Sequence, residues 1–188
     1  MLALAGWLIY AGPTATDAHV LEGWATVGSA GTLVDRSHVR LNGGSLEFAF
    51  HCIGIGPLNF WCSRDTGHIT ARYNIVPSGY LYNPTTHFRG YSLTATIRDA
   101  GPTERVTLRV MQVDYAGGNP EPVETEIASI DSDSHPQGPG YTPMGTVSIP
   151  ALDFLRHAYY VEAKLWNSDS GTRGPGLAAI AILGRAEL

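Results

Sequence analysis

The seven histidines of this sequence are its best candidates for metal binding or for proton transfer near neutral pH. No two of them are spaced as His-x-His or as a helical i, i+4 pair, the spacings that direct two imidazoles at one metal ion. They are His19, His38, His51, His68, His87, His135 and His157. A metal site assembled from distant strands is the alternative, but single polar or packed histidines need no such coincidence. We therefore predict no metal and no cofactor.

Nucleophilic catalysis has no recognisable motif in the chain. There is no Gly-x-Ser-x-Gly nucleophile elbow, and neither cysteine has the surroundings of a reactive thiolate. The runs Asp131-Ser-Asp-Ser and Asn167-Ser-Asp-Ser carry oxygen ligands of the kind that calcium takes. Neither run continues to the Gly and the distal Glu of a calcium-binding loop, so solvated loops are the favoured interpretation. We expect that the protein is not an enzyme.

Four aromatic residues are candidates for contact with a glycan. They are Trp61, Tyr80, Tyr82 and Trp166, and each falls at a strand end or in a loop of the predicted structure. An aromatic ring in such a place can stack on the apolar face of a sugar while its polar atom stays hydrated. Packing of the same rings into the core is the alternative interpretation.

The two cysteines, Cys52 and Cys62, enclose a loop that contains Gly and Pro. A bridge across so short a loop stabilises a fold by roughly 2 to 3 kcal/mol where the geometry allows it. Two free, buried thiols that pack as small apolar groups are the alternative. We expect the disulfide, and with it a secreted, extracellular or cell-surface location, because disulfides persist in oxidising compartments.

The composition describes one domain that carries few charges. The chain has 188 residues, of which 15% are charged, and its formal net charge is -5. Lys164 is the sole lysine, and the arginines are scattered singly along the chain. Nucleic acids and anionic membranes need clustered positive charge, so neither is an expected partner.

The segment Ala158–Trp166 shows the clearest alternation of apolar and polar side chains in the chain. Its predicted buried face carries Tyr159, Val161, Ala163 and Leu165. Its predicted solvent face carries Tyr160, Glu162, Lys164 and Trp166. A period of two residues is that of a half-buried strand, and the turn-forming run that begins at Asn167 ends it.

Short segments of the same kind recur along the chain at the spacing of an all-β protein. They are Trp24–Val27, His38–Leu41, Ser45–His51, Asn59–Cys62, His68–Val76, Tyr91–Arg98, Arg105–Tyr115, Val123–Ile130, Gly145–Ile149, Ala158–Trp166 and Leu177–Leu183. We predict a single antiparallel β-sandwich, jelly-roll-like, with about 9 to 11 strands.

Turn-forming residues separate these predicted strands. Asn42-Gly43 indicates a hairpin turn, and Gln137–Gly140 is read as another turn. Tyr91–Arg98 and Arg105–Tyr115 are expected to pair as a hairpin across the short link between them. Pro150–Leu155 is read as a single helical turn that leads into the strand at Ala158.

The first residues form a nine-residue apolar run, Leu2–Tyr10, which is too short to span a bilayer. Three interpretations stay open: an ordinary first strand, a remnant of an export signal, or a strand donated to a neighbouring subunit. The chain is accordingly divided into an apolar segment, residues 1–12, and a β-sandwich domain, residues 13–188. The side chains that would form an exposed apolar patch, and hence a contact for assembly, are Leu2, Leu4, Trp7, Leu8 and Ile9.

Four stretches, taken in order, resemble a group of secreted bacterial β-sandwich proteins to which no function is assigned. They are Thr70–Val76, Arg105–Met111, Ala158–Glu162 and Gly174–Ile182, and together they span roughly residues 68–183. The resemblance implies export and a jelly-roll-like sandwich. It contains no catalytic motif, so it implies no functional residue.

Two functions follow as hypotheses. The first is a non-catalytic extracellular structural or self-assembly protein, a subunit of a filament, shell or surface layer that pairs with copies of itself through strand edges or through the apolar first segment. The alternative is a carbohydrate-binding β-sandwich module that uses the four aromatic residues named above. Copies of the chain and a glycan are therefore the expected partners.

Overall fold

The computed structural model describes residues 23–34, 38–54, 60–76, 90–115, 121–145, 147–171 and 173–184. These residues form fourteen strands and two short 3-10 helices, Gly28–Ala30 and Ser132–Ser134. The strands are β1 (Gly23–Val27), β2 (Thr32–Leu33), β3 (Val39–Asn42), β4 (Ser45–Phe48), β5 (Phe50–Gly54), β6 (Phe60–Arg64), β7 (Gly67–Ile75), β8 (Tyr91–Asp99), β9 (Glu104–Asp114), β10 (Val123–Asp131), β11 (Gly138–Pro143), β12 (Val147–Ile149), β13 (His157–Asn167) and β14 (Gly176–Gly184).

Two antiparallel sheets pack face to face, so the protein is an all-β sandwich, as predicted. One sheet has the order β11-β8-β14-β4-β3, with β1 paired to β14 and β12 paired to β8. The other sheet has the order β10-β9-β13-β7-β2. All of the strand pairs within these two sheets are antiparallel.

The core lies between the two sheets and consists of the inward half of each alternating strand. The predicted buried face of β13 is confirmed, because Tyr159, Val161, Ala163 and Leu165 are at most 4% exposed. Opposite them, the seven-stranded sheet contributes a matching apolar set that includes Leu93, Ile97, Leu177, Ile180 and Ile182. Burial of these side chains is the main favourable term for the fold.

The turn at Asn42-Gly43 is confirmed. It joins β3 to β4, with Asn42 opposite Ser45, and the two glycines between them have φ values of 55° and 94°. Positive φ at both central positions is the geometry of the tight hairpin turn that Gly tolerates best. The helical turn predicted at Pro150–Leu155 is displaced: a single turn covers residues 154–156, and the His157 N–H donates to the carbonyl of Asp153.

The predicted hairpin of Tyr91–Arg98 with Arg105–Tyr115 is wrong. The first segment is β8 in the seven-stranded sheet, and the second is β9 in the five-stranded sheet. The link between them crosses from one sheet to the other and is held by the Glu104 side chain, which accepts a hydrogen bond from the Ala100 N–H at 3.0 Å. Crossing links of this kind are common in sandwiches, and a short link alone does not distinguish them from a hairpin.

Three strands were not located from the sequence. The short strand β2 was missed, and β11 occupies the place of the turn predicted at Gln137–Gly140. The segment Ser45–His51 is divided at Ala49 into β4, which belongs to the sandwich, and β5. Gly and Pro residues in β11 carry the pattern of a turn, but an edge strand tolerates both because only one of its sides is paired.

Cys52 and Cys62 form a disulfide bond, as expected, at the centre of a separate two-stranded sheet made of β5 and β6. This small sheet is attached to the sandwich at its base. There the Arg64 N–H donates to the carbonyl of Ser170 at 2.9 Å, and the Asp65 N–H donates to the carbonyl of Ala49 at 3.0 Å.

Candidate functional site

The outer face of the five-stranded sheet carries polar and charged side chains in register on adjacent strands. In β9 the outward residues include Arg105, Thr107 and Arg109, while Val106, Leu108 and Val110 point into the core. The pairing places Lys164 of β13 between Thr70 of β7 and Thr107 of β9. Rigid neighbouring strands thus hold a row of hydrogen-bonding groups at fixed spacing.

Glu162 lies at the centre of this face and corrects the prediction that its side of β13 is exposed to solvent. Its side chain is 8% exposed and accepts from Arg109, from Lys164 at 3.3 Å and from Arg72 at 3.4 Å. Tyr160, the neighbouring residue on the same face of β13, is also buried. The prediction holds for the other half of the face, where Lys164 and Trp166 are exposed.

Arg109 and Lys164 keep Glu162 ionised although it is buried. Burial by itself would raise the pKa of Glu162, but hydrogen bonds from Arg109 and Lys164 and their positive charges outweigh it and lower the pKa. The same hydrogen bond raises the pKa of Arg109. The pair therefore stays fully charged at neutral pH.

A second charged cluster lies at the edge of the sheet, where β10 ends. Arg105 contacts Asp131, with 3.0 Å between Nε and Oδ1, and it contacts Asp133 at 3.2 Å. The hydrogen bond from Arg105 lowers the pKa of Asp131 and raises the pKa of the arginine itself. Asp131 also accepts from the Asp133 N–H, which orders the 3-10 turn that follows the strand.

The side chain of Tyr160 lies on this face at the end away from the Arg105 cluster. The Tyr160 hydroxyl donates to Glu124 at 2.8 Å, and the Arg72 guanidinium lies over the Tyr160 ring, 4.9 Å from its centroid. Burial, and then this hydrogen bond, raise the pKa of Tyr160 to about 12. The hydroxyl is therefore a fixed donor at physiological pH.

A groove of about 800 Å³ opens on the outer face, and its lining includes Arg105, Asp131 and Asp133. Its floor is formed by β7, β9 and β13, and Glu126, Ser129 and Asp131 of β10 form one side. Trp166, 42% exposed, lies at one end of the floor, directly opposite His68 on one neighbouring strand and Arg105 on the other. We call this feature the outer-sheet groove; its floor residues are Thr70, Arg105, Thr107, Arg109, Lys164 and Trp166.

Comparison with known proteins gives matches among solved structures alone. No protein-family model matches the chain, and no curated protein matches it. One similar structure is the C-terminal family 22 carbohydrate binding module of Clostridium thermocellum Xyn10B, with TM-score 0.36 and 11% identity over 92% of this chain and 98% of that one. Another is a family two carbohydrate esterase from Cellvibrio japonicus, with TM-score 0.33 and 9% identity over 88% of this chain. This chain matches 35% of the length of the esterase chain.

The predicted glycan contacts fall in different parts of the chain. Trp166 lies in the outer-sheet groove. Trp61 lies on β6, paired with Ile53, and the placement of its ring is outside the described part of the structure. Tyr80 and Tyr82 lie outside the described residues. Among the described side chains, Trp166 is the predicted aromatic that lines the groove.

The apolar first segment also lies outside the described residues, which begin at position 23. Self-assembly through Leu2, Leu4, Trp7, Leu8 and Ile9 therefore stays a prediction, as does the division between residues 1–12 and 13–188.

Arg105 and Arg109 of the groove, and Glu162 beneath it, were not identified from the sequence as part of a site. Asp131, weighed in the sequence as a calcium ligand or as part of a solvated loop, lies at the end of β10 and contacts Arg105. Their roles depend on contacts between strands that are far apart in the chain. One pattern in the sequence points to the Arg105 contacts: Arg105 and Arg109 lie on the same face of β9. Once β10 is paired with β9, Asp131 lies beside that face, and Asp133 follows just after β10.

Two of the seven histidines share one carboxylate partner within the described residues. His38 and His51 both approach Asp65, at 3.1 and 3.3 Å, as polar surface contacts. Within the described ranges no group of three or more His, Cys, Asp or Glu residues has the arrangement of a metal site. Nor does any helix in that part of the chain have the length and apolarity needed to cross a membrane.

Proposed function

We propose that the protein is a non-catalytic carbohydrate-binding module that holds a glycan in the outer-sheet groove. The observation that carries the proposal is the position of Trp166. Its exposed ring stands at one end of a groove whose floor is lined with hydrogen-bond donors and acceptors. Sites for small molecules typically combine such an apolar contact with a few polar groups that fix orientation.

The chemistry of the groove suits a sugar chain. The C–H groups of one face of a sugar ring pack on an indole ring, and the hydroxyl groups at its edge both donate and accept hydrogen bonds. The Arg105–Asp131 and Lys164–Glu162 pairs offer donors and acceptors side by side. Hydrogen bonds to charged groups are roughly twice as strong as those between neutral groups.

The dimensions of the face support an extended ligand. Trp166, Lys164 and Glu162 alternate along β13, so the distance from the indole to the central carboxylate is roughly 13 Å. This length accommodates more than one sugar ring. Because every floor residue lies on a strand, the site is formed before binding, which reduces the entropic cost of association.

The ionised state of the Asp131 and Glu162 carboxylates supports a role in binding without catalysis. Glycoside hydrolysis needs one carboxylic acid whose pKa is raised so that it can donate a proton. In the outer-sheet groove the hydrogen bond from Arg105 lowers the pKa of Asp131, and beneath the groove the hydrogen bonds and charges of Arg109 and Lys164 lower the pKa of Glu162. Both are fixed as anions, which act as hydrogen-bond acceptors.

The Cys52–Cys62 disulfide supports export to the cell exterior as part of the proposal. Such bonds are rare in reducing cytosol and persist in secreted proteins. An exterior location is where a module of this kind would meet polysaccharide.

The test is a binding measurement by isothermal titration calorimetry and by retention in gels that contain soluble polysaccharides. Trp166→Ala is expected to weaken binding by at least about tenfold, because it removes the stacking surface. Tyr115→Ala is the matched control, since Tyr115 is 70% exposed at the opposite end of β9 from Arg105. Equal binding by the two variants, or no binding to any polysaccharide by the unaltered protein, would contradict the proposal.

A further inference from the structure

The charges on the outer face of the five-stranded sheet specify the class of glycan, if the proposed function holds. Within the described residues this face presents four cations, Arg72, Arg105, Arg109 and Lys164. It presents five carboxylates, Glu124, Glu126, Asp131, Asp133 and Glu162. The face therefore has one more negative charge than positive charges when His68 is neutral.

Each of the four cations already contacts carboxylates of the same face. Arg109 contacts Glu162 and lies 3.8 Å from Glu126, while Arg105 contacts both Asp131 and Asp133. Lys164 and Arg72 both contact Glu162. A carboxylate or sulfate group on a ligand would have to displace one of these carboxylates and would then face the remaining ones.

A neutral glycan neither displaces these carboxylates nor is repelled by them. A hydroxyl group can donate to a carboxylate oxygen and accept from a guanidinium or ammonium group without breaking the ion pair between them. Like charges brought together at an interface repel each other and so exclude wrong partners. The paired charges thus select for ligands that are rich in hydroxyl groups and uncharged.

We infer that the outer-sheet groove binds neutral polysaccharide and rejects acidic polysaccharide, and that Glu162 sets this selectivity. Glu162 is the shared partner of Arg72, Arg109 and Lys164, and it lies beneath the groove at the centre of the sheet. Removal of its charge would leave two groove cations, Arg109 and Lys164, with less negative charge around them. An anionic sugar would then find an attractive site at the same place.

The experiment compares binding of the full chain to immobilised neutral polymers, hydroxyethylcellulose, galactomannan and arabinoxylan, with binding to the acidic polymers polygalacturonate and alginate. Measurements at about 0.15 M salt keep long-range attraction screened. The unaltered protein is expected to bind at least one neutral polymer and to bind both acidic polymers at least about tenfold more weakly. Glu162→Gln is expected to strengthen binding to polygalacturonate by about tenfold or more.

Two further variants keep the result interpretable. Glu121→Gln makes the same change of net charge at an exposed position before β10 and is expected to leave both affinities unchanged. Asp133→Asn removes a partner of Arg105 in an exposed ion pair, and such pairs contribute little to stability. It is expected to strengthen polygalacturonate binding in the same direction as Glu162→Gln. Should Glu162→Gln fail to fold, Asp133→Asn still decides whether the carboxylates of this face exclude acidic polysaccharide.

The outcomes separate the inference from the function on which it rests. Binding of polygalacturonate as tight as binding of the neutral polymers, and lost in Trp166→Ala, would overturn the inference and leave glycan binding standing. No change in acidic binding for either charge variant would overturn the role of the carboxylates. Failure to bind any of the five polymers would overturn both proposals.

Discussion

The hydroxyl of Tyr141 on β11 donates a 2.6 Å hydrogen bond to the Glu47 carboxylate on β4, although two strands separate β11 from β4 in the sheet. Arg98 completes the contact, with Nη1 3.4 Å from Glu47 and its guanidinium 5.0 Å from the centroid of the Tyr141 ring. Gly176 lies beneath, where a Cβ atom would come within 2.4 Å of the hydroxyl oxygen. A polar cluster on the outer face of the seven-stranded sheet thus holds the edge strand β11 in place.

We expect Tyr141→Phe to destabilise the fold by about 1.5 to 3 kcal/mol, because a buried carboxylate loses a donor. Burial would raise the pKa of Glu47, but the hydrogen bond from Tyr141 and the charge of Arg98 lower it, so in the unaltered protein the Tyr141 hydroxyl donates to a charged carboxylate. Denaturant unfolding measures the change. Tyr115→Phe is the control, because the Tyr115 side chain is exposed. An equal loss of stability in both variants would show that the hydrogen bond from Tyr141 to Glu47 does not hold β11 in place.

The central strand offers a test of its two faces. Val161 is fully buried in the core, and Val161→Asp should cost about 3 to 5 kcal/mol or prevent folding, because it places an unpaired charge there. Lys164 is 46% exposed and contacts Glu162, so Lys164→Ala should cost less than about 1 kcal/mol. Thermal unfolding compares the two, and similar melting temperatures would show that the strand is inverted.

Asp99 gives a prediction that depends on pH. Its side chain is buried, its Oδ2 atom has no hydrogen-bond partner within the described residues, and burial raises its pKa. A raised pKa in the folded state means that the contribution of this group to stability is present at low pH and is lost as the pH rises through that pKa. The ionised carboxylate therefore destabilises the fold near neutral pH.

Asp99→Asn should accordingly raise the melting temperature by about 2 °C or more at about pH 7. The gain should shrink as the pH falls toward the ordinary pKa of aspartate, since the protonated carboxyl of the unaltered protein is already neutral. Melting curves of both proteins across this range check the prediction. A gain that is independent of pH would assign the effect to packing instead.

The disulfide is expected to stabilise the β5–β6 sheet locally. These strands pair with each other and, in the described residues, with no strand of the sandwich. In the Cys52→Ser/Cys62→Ser variant, hydrogen exchange should accelerate across residues 50–54 and 60–64 and stay slow in β13. Faster exchange throughout the sandwich would show that the small sheet supports the whole fold.

The fold class and the inward face of each main strand were predictable because they depend on a local pattern. Alternation with a period of two identifies which side of β13 or β7 is buried, whatever strands lie beside it. The same holds for the Asn42-Gly43 turn and for the short loop between Cys52 and Cys62. Each of these features depends on residues that are close together in the chain.

Strand neighbours were decided by the tertiary structure alone. The pattern of β8 and β9 is compatible with a hairpin and equally with a crossing between sheets, and packing of the whole sandwich decides between them. Glu162 is the clearest case, because it contacts Arg72, 90 positions earlier, and Arg109, 53 positions earlier. A charged residue that alternates with apolar residues is predicted to be exposed. It can be buried when cations on the neighbouring strands contact it and compensate its charge.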